Sequence, residues 1–275
     1  MVSILILTLN EEQNLPGCLE SVAWSDDIVV FDSFSSDLTT SVATNAGARV
    51  VQRKFDNWAA HQNWAHENIQ FKNKWVFYLD ADERMTPELK AEIQEIANNS
   101  EENRVAFYCG RKNYFMGKWI KHAYPPSMIM RFFIPSTVRF ERLVNPTPVI
   151  DGSHGYLSNM FVHFNFSKGL TEWFDKHNRY SYMEAKEAMK VMGEAGFKFG
   201  ELFSKDNFTR RKALKRLSFS FPLRPLLRFI YSYVFKLGFL DGTAGFQYCC
   251  MISIYEFMID LKILELKRRE KHLPV

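Results

Sequence analysis

The chain has 275 residues, of which 47% are hydrophobic, so it can bury one large core or two small ones. Its formal net charge of +4 is too mild to indicate a nucleic-acid partner. The 4 cysteines, Cys18, Cys109, Cys249 and Cys250, lack metal-type spacing, and free thiols are typical of a reducing compartment. Because the chain begins on an apolar run without a basic leader, we expect a cytoplasmic protein.

The first third of the chain alternates between predicted strands and helices. Buried strands are predicted at 2–7, 27–31, 49–51 and 75–79, with helices from about 14 onward, at 38–46 and at 59–68. Further strands are predicted at 105–108 and 128–134, and residues 161–166 alternate between apolar and polar. Strands separated by single helices form a parallel sheet with right-handed crossovers. The sequence therefore predicts an α/β fold.

Polar residues follow three of these strands at their carboxyl ends. Asp80 and Asp82 follow the fourth strand, Asp32 follows the second, and a polar turn begins at Thr8 after the first. Open α/β sheets bind ligands at this edge, so we expect these residues to converge on one crevice. Two neighbouring carboxylates repel each other unless a cation lies between them, and a divalent ion held together with substrate phosphates would meet that need. The alternative is a solvated turn before a helix starting near Thr86.

The sequence does not indicate a glycine-based phosphate site. No G-x-G-x-x-G follows the first strand. The Gly-Lys pair at 117–118 has neither the spacing nor the following Ser or Thr of a phosphate loop. Phosphates bound here would therefore depend on a metal ion and on side chains.

Four motifs, in the same order, resemble the family-two glycosyltransferases. They are Ile6-Leu7-Thr8-Leu9-Asn10-Glu11-Glu12, Val29-Val30-Phe31-Asp32-Ser33, Gln62-Asn63 and Leu79-Asp80-Ala81-Asp82-Glu83-Arg84. The resemblance is closest to the bacterial branch that adds sugars to lipopolysaccharide core and related envelope glycans. It implies a GT-A (Rossmann-like) fold, with a mixed, mainly parallel sheet flanked by helices, a nucleotide-diphosphate sugar donor, and transfer with inversion. Because the Q-x-x-R-W signature of processive synthases is missing, we expect transfer of a single sugar.

The resemblance also implies roles for individual residues. Thr8, Asn10 and Glu11 take positions that contact the nucleotide, and Asp32 takes that of an aspartate that accepts a hydrogen bond from uracil. The other implied donor-site residues are Gln62, Asn63, Asp80, Arg131 and Lys176, of which the last two contact phosphate. Asp82, Asp80 and His163 are the implied ligands of Mn²⁺ or Mg²⁺, an ion that would stabilise charge on the departing nucleotide. The residues by themselves also allow plainer interpretations: a helix cap for Asp32, a surface position for Arg131 or Lys176, and a core position for His163.

The catalytic base is not evident. Relatives in this branch carry a His-Glu pair after the sheet, where this chain has Arg142-Leu143-Val144-Asn145-Pro146. Glu141 and Asp151 are the nearby carboxylates that could take a proton from the acceptor, although each could equally be an ordinary surface residue. An acceptor that is already an ionised phosphate would need no base.

The last part of the chain mixes basic and bulky apolar residues. Lys205, Arg210, Arg211, Lys212, Lys215, Arg216, Arg224 and Arg228 alternate with leucines and phenylalanines between 214 and 229. This pattern predicts an amphipathic helical region that lies on an anionic membrane without crossing it. We therefore expect a catalytic domain at 1–170, with a nucleotide-binding half at about 1–90 and an acceptor half at about 91–170, and a membrane-association region at 171–275. Packing on the catalytic core or homo-oligomer formation is the alternative for this region.

These expectations combine into one hypothesis and two rivals. The hypothesis is a cytoplasmic glycosyltransferase, peripheral on the inner face of the membrane, that modifies a lipid-linked glycan. The first rival is a polyprenyl-phosphate glycosyltransferase, which the missing His-Glu pair favours. The second is a non-catalytic scaffold that binds nucleotide and membrane, against which the intact Asp80-Ala81-Asp82 motif argues.

Overall fold

A computed structural model describes residues 1–141, 146–193, 199–204, 206, 209–210, 213 and 223–275. The segment 142–145, where the His-Glu pair was expected, lies outside these residues. So does most of the basic and apolar stretch, namely Lys205, Arg211, Lys212 and 214–222.

Four parallel strands form the first part of the main sheet, in the order β3-β2-β1-β4. They are β1 (Val2–Thr8), β2 (Ile28–Asp32), β3 (Arg49–Gln52) and β4 (Trp75–Asp80), and the helices between them are α1 (Leu15–Val22), α2 (Thr39–Asn45) and α3 (Trp58–Asn68). Every residue of β1 is buried, as its unbroken apolar sequence predicted for a strand covered on both faces. The predicted elements of this part are confirmed to within about two residues.

The remaining strands extend the sheet beyond β4. They are β5 (Glu83–Arg84), β6 (Arg104–Phe115), β7 (Lys118–Trp119), β8 (Met128–Phe133) and β11 (Ser153–His163), and helix α4 (Pro87–Asn98) lies between β5 and β6. Strand β8 runs antiparallel between β4 and β6, β11 runs parallel to β6, and β5 is antiparallel to β11. The predicted mixed, mainly parallel α/β sheet is confirmed. Two strands are longer than predicted: β6 continues to Phe115, and β11 begins at Ser153 and ends at His163.

Two hydrophobic clusters cover the two faces of the sheet, because alternate residues of each strand point to opposite sides. Ile4 and Ile6 belong to the cluster that contains α1 and α4, whereas Leu5 belongs to the cluster that contains α3. Each such fully buried aliphatic side chain contributes about 1.5–3 kcal/mol. Strands β9 (Val138–Glu141) and β10 (Thr147–Ile150) form a separate antiparallel pair, which contacts α3.

The contacts divide the chain into two compact units, Met1–Tyr114 with Pro126–Ser167, and Phe115–Pro125 with Lys168–Val275. The second unit includes the α-helices α5 (Gly169–Gly193), α6 (Arg224–Ile230) and α7 (Gly242–Glu270). Ala185 and Ala188 of α5 pack against Ile259 and Ile263 of α7. This confirms the predicted C-terminal helical region, while its division from a catalytic domain at residue 170 stays a prediction. Within the described ranges, no helix is long and apolar enough to cross a membrane.

Asp27 holds the amino-terminal edge of the sheet together. It is 2% exposed, and its carboxylate accepts hydrogen bonds from Ser3 Oγ at 2.6 Å, from Lys72 N at 2.8 Å and from Arg49 Nη2 at 2.8 Å. Burial by itself raises the pKa of Asp27, but these hydrogen bonds outweigh it and hold the pKa below the ordinary 3.8. The ionised carboxylate therefore stabilises the fold above that ordinary pKa, and this contribution is lost as the pH falls through the lower pKa of the folded protein.

We expect Asp27→Asn to lower the free energy of unfolding at pH 7 by about 1–3 kcal/mol, because charged hydrogen bonds to a buried group are lost. The difference from the wild type should shrink as the pH falls below about 4, where the carboxylate of the unfolded chain is protonated, and should be lost below the lower pKa of the folded protein. Urea unfolding at several pH values measures both effects, with Glu67→Gln on an exposed position of α3 as the control. A stability difference that stays constant over this pH range would contradict the assignment.

Candidate active site

The ends of β1, β2 and β4 bring three of the predicted residues to one edge of the sheet. Thr8 is in register with Asp32, and Leu7 is in register with Asp80. Thr8 is buried, and its hydroxyl donates a hydrogen bond of 3.0 Å to Asp32 Oδ1. The expected convergence of the carboxyl ends is therefore present in the structure.

Asp32 is fully occupied by hydrogen bonds from the protein itself. It has 0% exposure, and its oxygens accept from the Thr8 hydroxyl, the Ser35 hydroxyl, the Ser35 amide at 2.9 Å and Gln52 Nε2 at 2.9 Å. Burial raises the pKa of Asp32, but the bonds from Ser35, Gln52 and Thr8 outweigh it and lower the pKa below its ordinary value. In this arrangement Asp32 orders the loops after β1 and β2. Its contact with a uracil ring stays a prediction. The contact would require Ser35 or Gln52 to give up its hydrogen bond to an Asp32 oxygen.

Asn10 and Glu11 connect the loop after β1 to the loop after β2. Asn10 has a positive φ of 56°, a conformation that asparagine tolerates, and its Oδ1 accepts the Ser36 amide at 2.8 Å. The Glu11 amide donates to Thr39 Oγ1 at 2.8 Å, and Glu11 Oε2 accepts from Asn14 Nδ2 at 2.7 Å. Both residues therefore shape the rim of the site, and their contact with a nucleotide stays a prediction.

The two predicted donor-site residues of α3 differ in their surroundings. Asn63 binds the backbone of Phe140 through both amide atoms, at 2.9 Å and 2.8 Å, and so attaches β9 to α3. Gln62 is 8% exposed, and its buried Oε1 has no hydrogen-bond partner among the residues that the structure describes. A buried acceptor without a partner is costly, so Gln62 is the more available of the two for binding.

His61 and Arg53 lie beside these residues and were not identified from the sequence. His61 stacks on Phe31 with ring centres 4.1 Å apart, and its Nδ1 is 3.1 Å from Arg53 Nη1. Burial, followed by the charge of Arg53, lowers the pKa of His61 to about 4, so the ring is neutral at physiological pH. Arg53 comes directly after β3, and the rule that ligands bind after the carboxyl ends of strands would have identified it.

Asp80 is paired with Arg131 and a buried glutamate. Arg131 Nη2 donates to Asp80 Oδ2 at 2.8 Å and to Glu83 Oε1 at 2.7 Å, and Glu83 Oε2 accepts the Asp80 amide at 2.9 Å. Burial, together with the charges of Asp80 and Asp82, raises the pKa of Glu83 to about 8, although Arg131 opposes this shift. Arg131 was expected to contact donor phosphates. It is only 7% exposed and is bonded to these carboxylates, and its contact with donor phosphates stays a prediction.

Asp82 lies beside His163 at the end of β11. His163 Nε2 is 3.4 Å from Asp82 Oδ2, and the Phe164 amide donates to the Asp82 carbonyl at 2.9 Å. His163 Nδ1 donates to Asn113 Oδ1 at 3.0 Å, which leaves Nε2 without a proton in the neutral ring. Asn113, on β6, was not identified from the sequence, because β6 extends further than its apolar pattern predicted.

A divalent ion fits this pair but not the full predicted ligand set. The residues covered by the structure contain no group of three or more His, Cys, Asp or Glu side chains that could hold a metal. The reason is that Asp80 is directed to Arg131, so Asp80, Asp82 and His163 do not gather around one point. A carboxylate oxygen and an imidazole nitrogen without a proton are suitable ligands for Mn²⁺. Asp82 and His163 would therefore hold the ion, with donor phosphates completing its coordination.

The remaining predicted residues lie on other elements. Glu141 ends β9 and Asp151 follows β10, and both are exposed. Lys176 lies on α5 in the second unit, with its Nζ 5.9 Å from the centre of the Tyr180 ring. The base and phosphate-binding roles of these residues stay predictions.

Comparisons with known proteins give a consistent result. Residues 3–160 match the family model described as glycosyl transferase family 2. A lipopolysaccharide core biosynthesis glycosyltransferase of Rhizobium meliloti is 25% identical over 96% of this chain and 92% of its own length. An uncharacterised glycosyltransferase of Rickettsia typhi is 22% identical over 99% of this chain and 89% of its own length. Among solved structures, a mannosyltransferase of Pyrobaculum calidifontis in complex with GDP-mannose and Mn²⁺ is 14% identical, with a TM-score of 0.47 over 96% of this chain and 86% of that one.

The family match covers more than half of the chain and includes the strand ends that carry Thr8, Asp32, Asp80 and Asp82. The sheet that positions these residues has the mixed, mainly parallel α/β arrangement that the resemblance implied. The chain therefore belongs to glycosyl transferase family 2.

Proposed function

We propose that this protein transfers a single sugar, with inversion, from a nucleotide-diphosphate sugar to the lipopolysaccharide core or a related envelope glycan. The observation that carries the proposal is the pair of Asp82 and His163, which meet within 3.4 Å beside the ends of the parallel strands. Membership of family 2 and the similarity to a core biosynthesis glycosyltransferase support the reaction class and the acceptor. A UDP-linked hexose is our choice of donor.

Different residues of the chain would bind the metal ion, orient its ligands and bind the nucleoside. A divalent ion bound at Asp82 and His163 would supply Lewis-acid stabilisation of the departing nucleotide diphosphate. Asn113 holds the His163 ring through Nδ1, which directs Nε2 to Asp82, and the Phe164 amide holds the Asp82 backbone. The loops ordered by Asp32 and Asn10 form the rim where the nucleoside would bind, because they follow the carboxyl ends of β1 and β2.

We expect Asp82→Ala to abolish metal-dependent nucleotide binding. Calorimetric titration of UDP, GDP and CDP, each with Mn²⁺ and with EDTA, measures this, and Glu88→Ala, an exposed carboxylate in the first turn of α4, is the control. UDP should bind only with Mn²⁺, to the wild type and to the control. If the wild type binds GDP or CDP but not UDP, the choice of a UDP donor is wrong. If Asp82→Ala binds the nucleotide as tightly as the wild type does, the proposed metal site is wrong. Nucleotide binding without any transfer or hydrolysis of a nucleotide sugar would instead support the non-catalytic scaffold.

The proposed base is one of the two exposed carboxylates, Glu141 or Asp151. A base that takes the proton from an acceptor hydroxyl contributes roughly 10²–10⁴ in rate. We therefore expect Glu141→Gln or Asp151→Asn to lower kcat by at least about 100-fold on a membrane glycolipid acceptor. Glu101→Gln, on an exposed turn, is the control. Wild-type turnover in a Glu141→Gln/Asp151→Asn double variant would contradict both assignments and favour an ionised phosphate acceptor, as in a polyprenyl-phosphate glycosyltransferase.

We also propose peripheral attachment to the inner face of the cytoplasmic membrane, where a lipid-linked acceptor is displayed. The support comes from residues 223–240, here called the apolar segment, which contain Arg228 and Lys236 but no acidic residue. Arg224 of the segment is paired with Glu256 and Asp260. Phe235 is 74% exposed and Leu240 is 58% exposed. Exposed bulky side chains next to cations are typical of segments that bind membrane surfaces.

If the apolar segment binds the membrane, Phe235→Glu/Leu240→Glu should reduce co-sedimentation with vesicles that contain anionic lipid, because buried apolar area is replaced by charge. Leu38→Glu/Met183→Glu makes the same change of charge at two other exposed apolar positions and should leave binding unchanged. Equal binding by both variants would contradict attachment through this segment, and a change of oligomeric state in the first variant would favour self-association.

A further inference from the structure

Three residues from three strands form a closed, buried ring of hydrogen bonds next to the proposed metal site. The Asp80 amide donates to Glu83 Oε2 at 2.9 Å, and Arg131 Nη2 donates to Glu83 Oε1 at 2.7 Å and to Asp80 Oδ2 at 2.8 Å. Asp80 ends β4, Glu83 begins β5 and Arg131 lies in β8. We call this arrangement the Asp80–Glu83–Arg131 ring.

General stability does not explain a ring of this kind. Glu83 is 0% exposed and Arg131 is 7% exposed, so the carboxyl group and the guanidinium have both lost their hydration. A buried ion pair recovers that loss only in part, and apolar residues of similar size stabilise a core as well or better. Arg131 Nε is also buried, without a partner among the described residues. Because burial of these groups is unfavourable, the ring is explained better by the residue that it positions.

The ring separates two carboxylates that are one residue apart in the sequence. Asp80 keeps a side chain that is 38% exposed, but its Oδ2 is taken by Arg131. Asp82 is directed to His163 instead, and β5 and β11 pair so that Glu83 is in register with His163. Without Arg131, the charge of Asp80 would be free to approach Asp82 and to compete for the same cation.

We infer that Glu83 and Arg131 are positioning residues that hold the Asp80 carboxylate away from the metal, so that Asp82 and His163 alone bind the ion from the protein side. This inference rests on the proposed function. It gives Arg131 a role different from the phosphate contact that the sequence implied. A carboxylate that reached the ion would take a coordination position from the donor phosphates, so the release of Asp80 should weaken binding of the nucleotide.

The test compares Arg131→Met/Glu83→Gln with the same double variant carrying Asp80→Asn. Replacing both charged partners leaves no unpaired buried charge, so the double variant should fold. The readout is the dissociation constant of UDP with Mn²⁺, or of whichever of UDP, GDP and CDP the wild type binds. We expect the double variant to bind about tenfold more weakly than the wild type. The dissociation constant of the triple variant should lie within about threefold of that of the Asp80→Asn single variant, because neither protein has an Asp80 charge to restrain.

A positioning role and a merely structural role of the ring predict different dissociation constants for these variants. If the ring only stabilised the fold, the double substitution would weaken binding by the same factor with and without Asp80→Asn, and that outcome overturns the inference. Wild-type affinity in the double variant overturns it as well. Asp27→Asn is the control, since Asp27 is also buried and paired with an arginine, but at the amino ends of the strands. It should lower Tm and leave the dissociation constant within about twofold of the wild type.

A crystal structure of the double variant tests the inference without any nucleotide. The Asp80 carboxylate should leave its position beside residue 131, and an unchanged Asp80 overturns the inference. If the wild type binds no nucleotide, the proposed function fails by itself, while this structural result still decides whether the ring positions Asp80.

Discussion

The parallel pairing of β1 with β2 and β4 is the constraint on which the site depends. It places Thr8 opposite Asp32 and Leu7 opposite Asp80, so three chain segments reach the same edge together. The pairing is stable because alternate residues of β1, such as Ile4 and Leu5, are buried in separate clusters on the two faces. A slip of one residue would exchange these faces and would also move the carboxylates out of register. Core packing and site geometry are therefore determined by the same hydrogen bonds.

The carboxylates of the first unit divide into two groups according to their partners. Asp27, Asp32 and Glu83 are buried and accept hydrogen bonds from several donors, as buried polar groups must. They hold loops and strands in place. Asp82 keeps partial exposure next to an imidazole nitrogen, which suits a group that binds a ligand. Family membership indicates which motif matters, and these contacts show how the surroundings of its two aspartates differ.

The second unit has its own internal organisation. Asp241 accepts the amides of Lys121, His122 and Ala123 at 3.0, 2.9 and 2.8 Å, and so attaches the loop 115–125 to the start of α7. This loop follows Asn113, the residue that orients His163, by only two positions in the chain. The region proposed to meet the membrane therefore belongs to the same unit as the loop 115–125.

The sequence by itself determined the order of strands and helices, the α/β class and the family, because apolar periodicity and short motifs are local properties. It also indicated Asp82 and His163 as metal ligands, a role that stays a prediction although the two side chains lie within 3.4 Å of each other. Only the tertiary structure decided that Asp80 is paired with Arg131, that Asp32 is saturated by Ser35 and Gln52, and that Asn113 orients His163. Each of these contacts joins residues that the chain brings together only through strand pairing or loop packing. Competition among nearby donors for one carboxylate depends on distances in space, which no local pattern contains.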